Sequence, residues 1–332
     1  MKIGVKLVRQ LYCLFAVFAA VFVANVHANT QQQVINLQQG WNAIYLTVTP
    51  NAENLNSLLV DTPIDMIASY FAPVSNVTFI DDPSEQNWKS AQWHKWIAPS
   101  RPDAFLTNLS RLNAGRGYLI HSTTDFTWNL PGEVKFIQPQ WQANGFTLIG
   151  FEVDESNPPS FAQFFSASPS HQDLVAYQLV ESKWQLVRQP SQTLIQNNQA
   201  YWIYSQGGSD FYGALQISGV ATDGLTFAPH NYRIKVTVRN LSEIPADFSF
   251  NMISGFESTA IVPLAIETDS VEQAEIISDL TTYQSPLLTQ NQLTHINFVL
   301  QRNQMLEAES RASLLEIRGL GLKRIIPISA QR

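Results

Sequence analysis

The chain repeats itself, and the repeat limits what it can fold into. Gly40-Trp41-Asn42-Ala43-Ile44-Tyr45-Leu46 opens a tract that Gly115-Arg116-Gly117-Tyr118-Leu119-Ile120 closes. Gly145-Phe146-Thr147-Leu148-Ile149 opens a second, which Gln199-Ala200-Tyr201-Trp202-Ile203 closes. An aromatic follows each closing tyrosine at the same offset: Trp128 after Tyr118, Phe211 after Tyr201. Short runs of β-branched and aromatic residues bounded by Gly, Asn and Pro are strand signals. Two related β-rich modules with short helices are therefore expected, at 34–132 and 140–218. From Gly40 to Tyr118 the first copy is longer than the second, from Gly145 to Tyr201, by 22 residues. The extra length is placed at 74–100.

Inside the first module, strands are predicted at 34–37 and 43–48. The leucines at 55, 58 and 59 predict a short helix that Pro63 closes. A second helix is predicted over 103–112, with Asp103 as N-cap and Phe105, Leu106, Leu109 and Leu112 at helical spacing. The second module repeats this order in shorter form. A strand at 146–153 precedes a helical turn at Phe161–Phe165. Strands at 174–179 and 183–187 are joined by a tight turn at Glu181-Ser182.

All eight tryptophans lie between Trp41 and Trp202, which places a boundary near Gly219 to Gly224. Beyond it, at 222–332, the pattern is period-two. Ile234, Val236 and Val238 share one face against Arg233, Lys235, Thr237 and Arg239. Phe248, Phe250 and Met252 repeat the alternation, as do Ile296, Phe298 and Leu300. Strands with one buried face and turn signals between them predict an immunoglobulin-like β-sandwich. The stretch 268–280 is ambiguous, because Val271, Ala274, Ile277 and Leu280 also fit a helix edge.

The two glycine-led segments of the first module resemble the GWN…GxGYW modules of large secreted and surface proteins of bacteria. The second copy departs from that pattern, with Phe146-Thr147 for Trp-Asn and with Asn198 and Ala200 for the two glycines. The last region resembles the immunoglobulin-like or fibronectin-like domains of exported bacterial proteins. The resemblance implies an extracytoplasmic, non-catalytic role and brings no catalytic residues with it.

The N-terminus reads as a signal peptide over 1–28. Lys2, Lys6 and Arg9 precede an apolar run at 11–23, and Val26-His27-Ala28 supplies a small-x-small cleavage site. No later apolar run is long enough to span a bilayer. The expected destination is periplasmic or extracellular, at the cell surface. Cys13, the only cysteine, lies in that leader. The remainder therefore has no disulfide, no thiol nucleophile and no cysteine-ligated zinc. The full chain already carries a net charge of −7, and losing the three leader cations makes it more acidic. That excludes general nucleic-acid or anionic-membrane binding through a basic face.

Recognised catalytic signatures are missing. There is no G-x-S-x-G, no H-E-x-x-H and no glycine-rich phosphate loop. His94, His121, His171, His230 and His295 show no local metal-ligand spacing, and no cofactor is implied. The richest segment chemically is the extra length of the first module. Trp88, Trp93 and Trp96 are interleaved there with Lys89, His94 and Lys95. Flat rings beside polar groups suit a sugar ring, or anchor a protein partner; large aromatics also supply core to a module without disulfides. Asp81, Asp82 and Glu85 form an acidic cluster that reads as a weak calcium site or a solvated turn. The sequence points to an exported, non-enzymatic structural or interaction protein with protein partners. The alternatives are a carbohydrate-binding protein using Trp88, Trp93, Trp96 and His94, and a hydrolase whose acids converge from different strands.

Overall fold

The computed structural model describes residues 29–71, 91–256, 261–268, 275–277 and 280–332. The expected signal segment and the acidic cluster at Asp81, Asp82 and Glu85 lie outside them. The fold is mainly β, at 48% strand and 7% helix.

The first module runs through β1 (Thr30–Leu37), β2 (Gly40–Leu46), β3 (Val48–Pro50), α1 (Leu55–Leu59), β4 (Ile64–Tyr70), β5 (Trp93–Ile97), β6 (Arg116–Ser122) and β7 (Phe126–Val134). They form a four-stranded sheet, β2-β6-β4-β5, and a three-stranded sheet, β1-β7-β3. Ile35, Leu46, Ile67, Tyr118, Ile120 and Leu130 are fully buried in its core. The side-chain oxygen of Asn54 accepts from Ser57 N at 2.9 Å and caps α1.

The second module contributes β8 (Gly145–Gly150), α2 (Phe161–Phe165), β9 (Ala176–Val180), β10 (Lys183–Leu186) and β11 (Ala200–Ser205). Its sheet runs β8-β11-β9-β10, the same order as the larger sheet of the first module. A reciprocal capping box between Ser160 and Gln163 starts α2, and Phe161, Phe164 and Phe165 are buried.

The repeat extends to register. Ile44 faces Tyr118 in the first module, and Ile149 faces Tyr201 in the second. Each closing tyrosine is fully buried, and its hydroxyl accepts a backbone N–H five residues upstream. Tyr118 takes Asn113 N at 2.8 Å, and Tyr201 takes Gln196 N at 2.9 Å. Tyr118→Phe and Tyr201→Phe are each expected to destabilise by about 1–2 kcal/mol, because each strands an amide. Urea melts that leave both variants at wild-type midpoints would show that these bonds do not hold the corners. The left-handed backbone is repeated as well. Gly115 has φ 75°, and Asn198, its counterpart, has φ 63°. Asparagine tolerates that region better than most residues. The exchange of Gly for Asn therefore keeps the conformation.

Ten strands follow: β12 (Leu215–Ser218), β13 (Leu225–Phe227), β14 (Arg233–Asn240), β15 (Ser249–Ile253), β16 (Leu264–Thr268), β17 (Glu275–Ile277), β18 (Thr282–Gln284), β19 (Leu293–Leu300), β20 (Ser310–Gly319) and β21 (Leu322–Gln331). They form two five-stranded sheets, β12-β14-β19-β16-β17 and β13-β21-β20-β15-β18. Val236, Val238, Phe248, Phe250, Ile296 and Phe298 are fully buried, on the faces the alternation assigns to them. One detail of this region differs from the sequence expectation, and one ambiguity is resolved. Leu215–Ser218 falls within the stretch assigned to the second module, yet it pairs antiparallel with β14. Within the ambiguous stretch 268–280, the described residues Glu275–Ile277 form a strand paired with β16.

The helix expected over 103–112 is not formed. Only a 3-10 turn occurs, at Ala104–Leu106, and Asp103 makes no side-chain cap bond. Local side-chain bonds win over the helix. The Asp103 carboxylate is taken by the Arg101 guanidinium through two bonds of 3.0 Å. Thr107 Oγ1 accepts from Ile97 N at 3.0 Å, and Asn108 Oδ1 accepts from Lys95 N at 2.7 Å. The segment thus lies along β5 and covers the edge of that sheet.

The three parts interlock. Tyr45 N donates to Asn198 O at 2.9 Å, and Gln33 Nε2 reaches both Tyr45 O and Asn198 Oδ1. Trp41 N donates to Ser182 Oγ at 3.0 Å, at the tip of the β9–β10 hairpin. Ala43, Trp93, Leu119, Leu148, Leu179 and Trp202 form a core between the two modules. A Cβ on Gly117 would lie 2.7 Å from Leu148 Cγ, so glycine there permits the close approach. The sandwich joins through Asp154 N to Gly321 O at 2.8 Å and Phe256 N to Thr30 O at 2.7 Å. Leu314 and Ile325 of the sandwich enter the core of the first module.

Candidate interaction site

The aromatic platform expected at Trp88, Trp93, Trp96 and His94 is not assembled by its described members. Trp88 lies outside the described residues. Trp93 and Trp96 are on β5 and are only 4% and 3% exposed. Trp96 points into the core of the first module, and its indole N–H donates to Asn56 Oδ1 at 2.7 Å. Trp93 packs between the modules, edge-on to Tyr70 at 5.5 Å and to Trp202 at 6.1 Å. Neither indole keeps an open face for a sugar ring. His94 is half-buried and stacks on Phe71 at 4.5 Å.

Register explains why. Tyr70 faces Trp93 across the β4–β5 pair, and Leu179 faces Trp184 across the β9–β10 pair. Trp93 therefore belongs to the repeated plan, with Trp184 as its counterpart. The extra length lies chiefly in the connection at 71–92, where the second module has the two-residue turn Glu181-Ser182 with φ 47° and 61°. An alignment built on the closing tyrosines alone cannot show this, because the hairpins between them differ in length.

The structure brings together a group that the sequence does not suggest. Asp65 of β4 accepts from Arg101 Nη1 at 2.9 Å through one oxygen, and its other oxygen lies 2.5 Å from His121 Nδ1 of β6. Arg101 also grips Asp103, and that hydrogen bond holds the Asp103 carboxyl below the usual carboxylate range. The His121 ring stands edge-on to Trp41 at 5.1 Å. The cluster braces the turn Ala104–Leu106, which projects Phe105 at 82% exposure and Leu106 at 46%. An Asp–His pair can orient an imidazole for acid–base work. Among the described residues, however, no hydroxyl is bonded to the other nitrogen of His121. The arrangement holds a knuckle in place.

Two other perturbed groups are internal. His171 is 3% exposed among Trp141, Phe165 and Phe211, and burial pulls its pKa down to about 4. Its Nδ1 lies 2.6 Å from Ser168 Oγ. Glu152 sits where the second module meets the sandwich. Burial pushes its carboxyl up, while Arg324 and Lys323 oppose the shift. Arg324 there bonds the main-chain oxygens of Glu152 and Tyr212. No group of three His, Cys, Asp or Glu among the described residues could hold a metal ion. No described helix is long and apolar enough to cross a membrane.

No known protein family and no curated protein matches the chain. Among solved structures it is distantly similar to the E. coli chaperone DraB, with 10% identity and a TM-score of 0.24, over 35% of this chain and 54% of that one. A second similarity is to the CsuC–CsuE chaperone–tip adhesion subunit pre-assembly complex of the Csu pili of Acinetobacter baumannii. It has 6% identity and a TM-score of 0.21, over 35% of this chain and 55% of that one. The chain thus spans about half the length of these two. A third, to the CupB6 tip adhesin from Pseudomonas aeruginosa, has 11% identity and a TM-score of 0.18, over 91% of this chain and 89% of that one.

Proposed function

We propose that this is an exported, non-enzymatic interaction protein of a bacterial envelope or surface, and that the knuckle at Phe105 and Leu106 engages a protein partner through an apolar pocket. The observation that carries this reading is an 82%-exposed phenylalanine on a turn pinned by Arg101, Asp103, Asp65 and His121. Burying such a ring in a partner yields about 1.5–3 kcal/mol. A turn already fixed by charge-assisted bonds loses little entropy on docking. The basic and apolar leader, the resemblance to GWN…GxGYW modules and the interlocked β scaffold support export and a surface role. A small-molecule turnover site has no comparable support among the described residues.

A photo-crosslinking amino acid in place of Phe105, introduced in cells, tests the reading. A discrete protein adduct identified by mass spectrometry is expected. Phe105→Ala is expected to weaken capture of that partner at least about tenfold. Its stability should stay within about 0.5 kcal/mol, as for exposed substitutions elsewhere. Failure to trap any protein from position 105, with adducts from exposed positions on the sandwich instead, would move the interface to the sandwich.

A further inference from the structure

Arg116 is the charged residue in the middle of the Gly-Arg-Gly segment, and the repeat does not preserve it: Gln199 stands at its place in the second module. Its side chain makes no hydrogen bond or ion pair with any described residue. Its guanidinium carbon instead lies over the Phe71 ring, 3.9 Å from the centroid, and Phe71 packs in turn against His94. A ring contact takes up none of the guanidinium N–H donors, whose planar fork matches a carboxylate.

Arg116 lines a cleft of about 560 Å³ between β4, β6, β8 and the linker 137–142. The size is that of a small-ligand site. Arg116 is the only charged side chain among the described residues lining it. Gln138, Gln140 and Gln142 also line it. Their side-chain amides bond to no described residue, and each offers both donor and acceptor. Trp141 adds half-buried apolar surface beside them, fixed by its indole N–H to Phe211 O at 2.6 Å.

We propose that this cleft binds an acidic carbohydrate, with Arg116 on its carboxylate and the amides of Gln138, Gln140 and Gln142 on its hydroxyls. One cation among unpaired amides is the complement of a hydroxyl-rich anion. An extended acidic peptide, which would add to a strand edge, is the competing occupant that polyglutamate tests below. The site is separate from the Phe105 knuckle, so its failure leaves the protein-partner reading standing.

Isothermal titration of the purified protein with galacturonate and mannuronate oligomers, their neutral counterparts and polyglutamate tests it. At least one uronate oligomer is expected to bind, with its neutral counterpart at least about tenfold weaker. Arg116→Gln is expected to weaken uronate binding by a similar factor. Arg116→Lys should recover only part, because it lacks the fork and the stacking. Gln138→Ala and Gln140→Ala change exposed side chains, keep the fold, and should weaken binding severalfold. The proposal is overturned if neither uronate binds, if Arg116→Gln or both glutamine variants bind as the wild type does, or if polyglutamate binds as tightly as uronate.

Discussion

Trp202→Ala is expected to destabilise the joint between the two modules by about 3–5 kcal/mol, the range for removing a large aromatic from a packed core. Trp202 is 1% exposed. Its ring meets Tyr70 at 5.5 Å, Trp93 at 6.1 Å and Trp184 at 6.2 Å, so side chains of both modules surround the space it would leave. Those neighbours sit on paired strands and cannot close the cavity cheaply. Its indole N–H is buried without a hydrogen-bond partner among the described residues. Trp202→Phe should therefore recover most of the loss, because it removes an orphan donor along with part of the ring. Urea unfolding of the three proteins would check this. An alanine variant with the wild-type midpoint would mean that main-chain bonds such as Tyr45 N to Asn198 O carry the joint alone.

The second large effect is acid sensitivity at His171. Its folded pKa of about 4 lies below the 6.5 of an ordinary histidine, because burial disfavours the charged ring. Above pH 6.5 the ring is neutral in both the folded and the unfolded chain. As the pH falls below 6.5 the unfolded chain takes up a proton that the folded ring refuses until about pH 4. Stability present above 6.5 is thus lost on the way down to about 4, by a total of about 3 kcal/mol. His171→Phe keeps an aromatic among Trp141, Phe165 and Phe211 and removes the titration. Melts at several pH values between 7 and 4 should show a steeper decline in the wild type than in His171→Phe. Parallel declines would assign the acid sensitivity to other groups.

Much of the architecture was legible because strand signals are local. The alternation at Val236-Val238 and Ile296-Phe298 marked buried faces without reference to the rest of the chain. The turn at Glu181-Ser182 lies directly between the two strands it joins. The helix expected at 103–112 failed for the same kind of reason. Its leucine spacing was right for a helix, but Asp103, Thr107 and Asn108 found stronger partners in Arg101 and in an edge strand that only the sheet supplies. The tryptophans misled in the opposite direction. Trp93 and Trp96 look like a binding platform in a linear reading, and strand pairing turns both inward. Asn198 and Ala200 looked like a loss of the glycine pattern, whereas backbone geometry shows that Asn198 keeps the conformation.

By itself the sequence determined a β-rich chain with a duplicated plan and an alternating last third, because residue spacing decides which face of a strand is apolar. Only the tertiary structure decided that the two modules share a core through Trp93, Leu148 and Trp202, and that Arg101, Asp65 and His121 meet under an exposed phenylalanine. It also set Arg116 over Phe71, in one cleft with three amides from a linker. Those meetings join residues far apart in the chain. They follow from which surfaces pack together, and local periodicity carries no information about that choice.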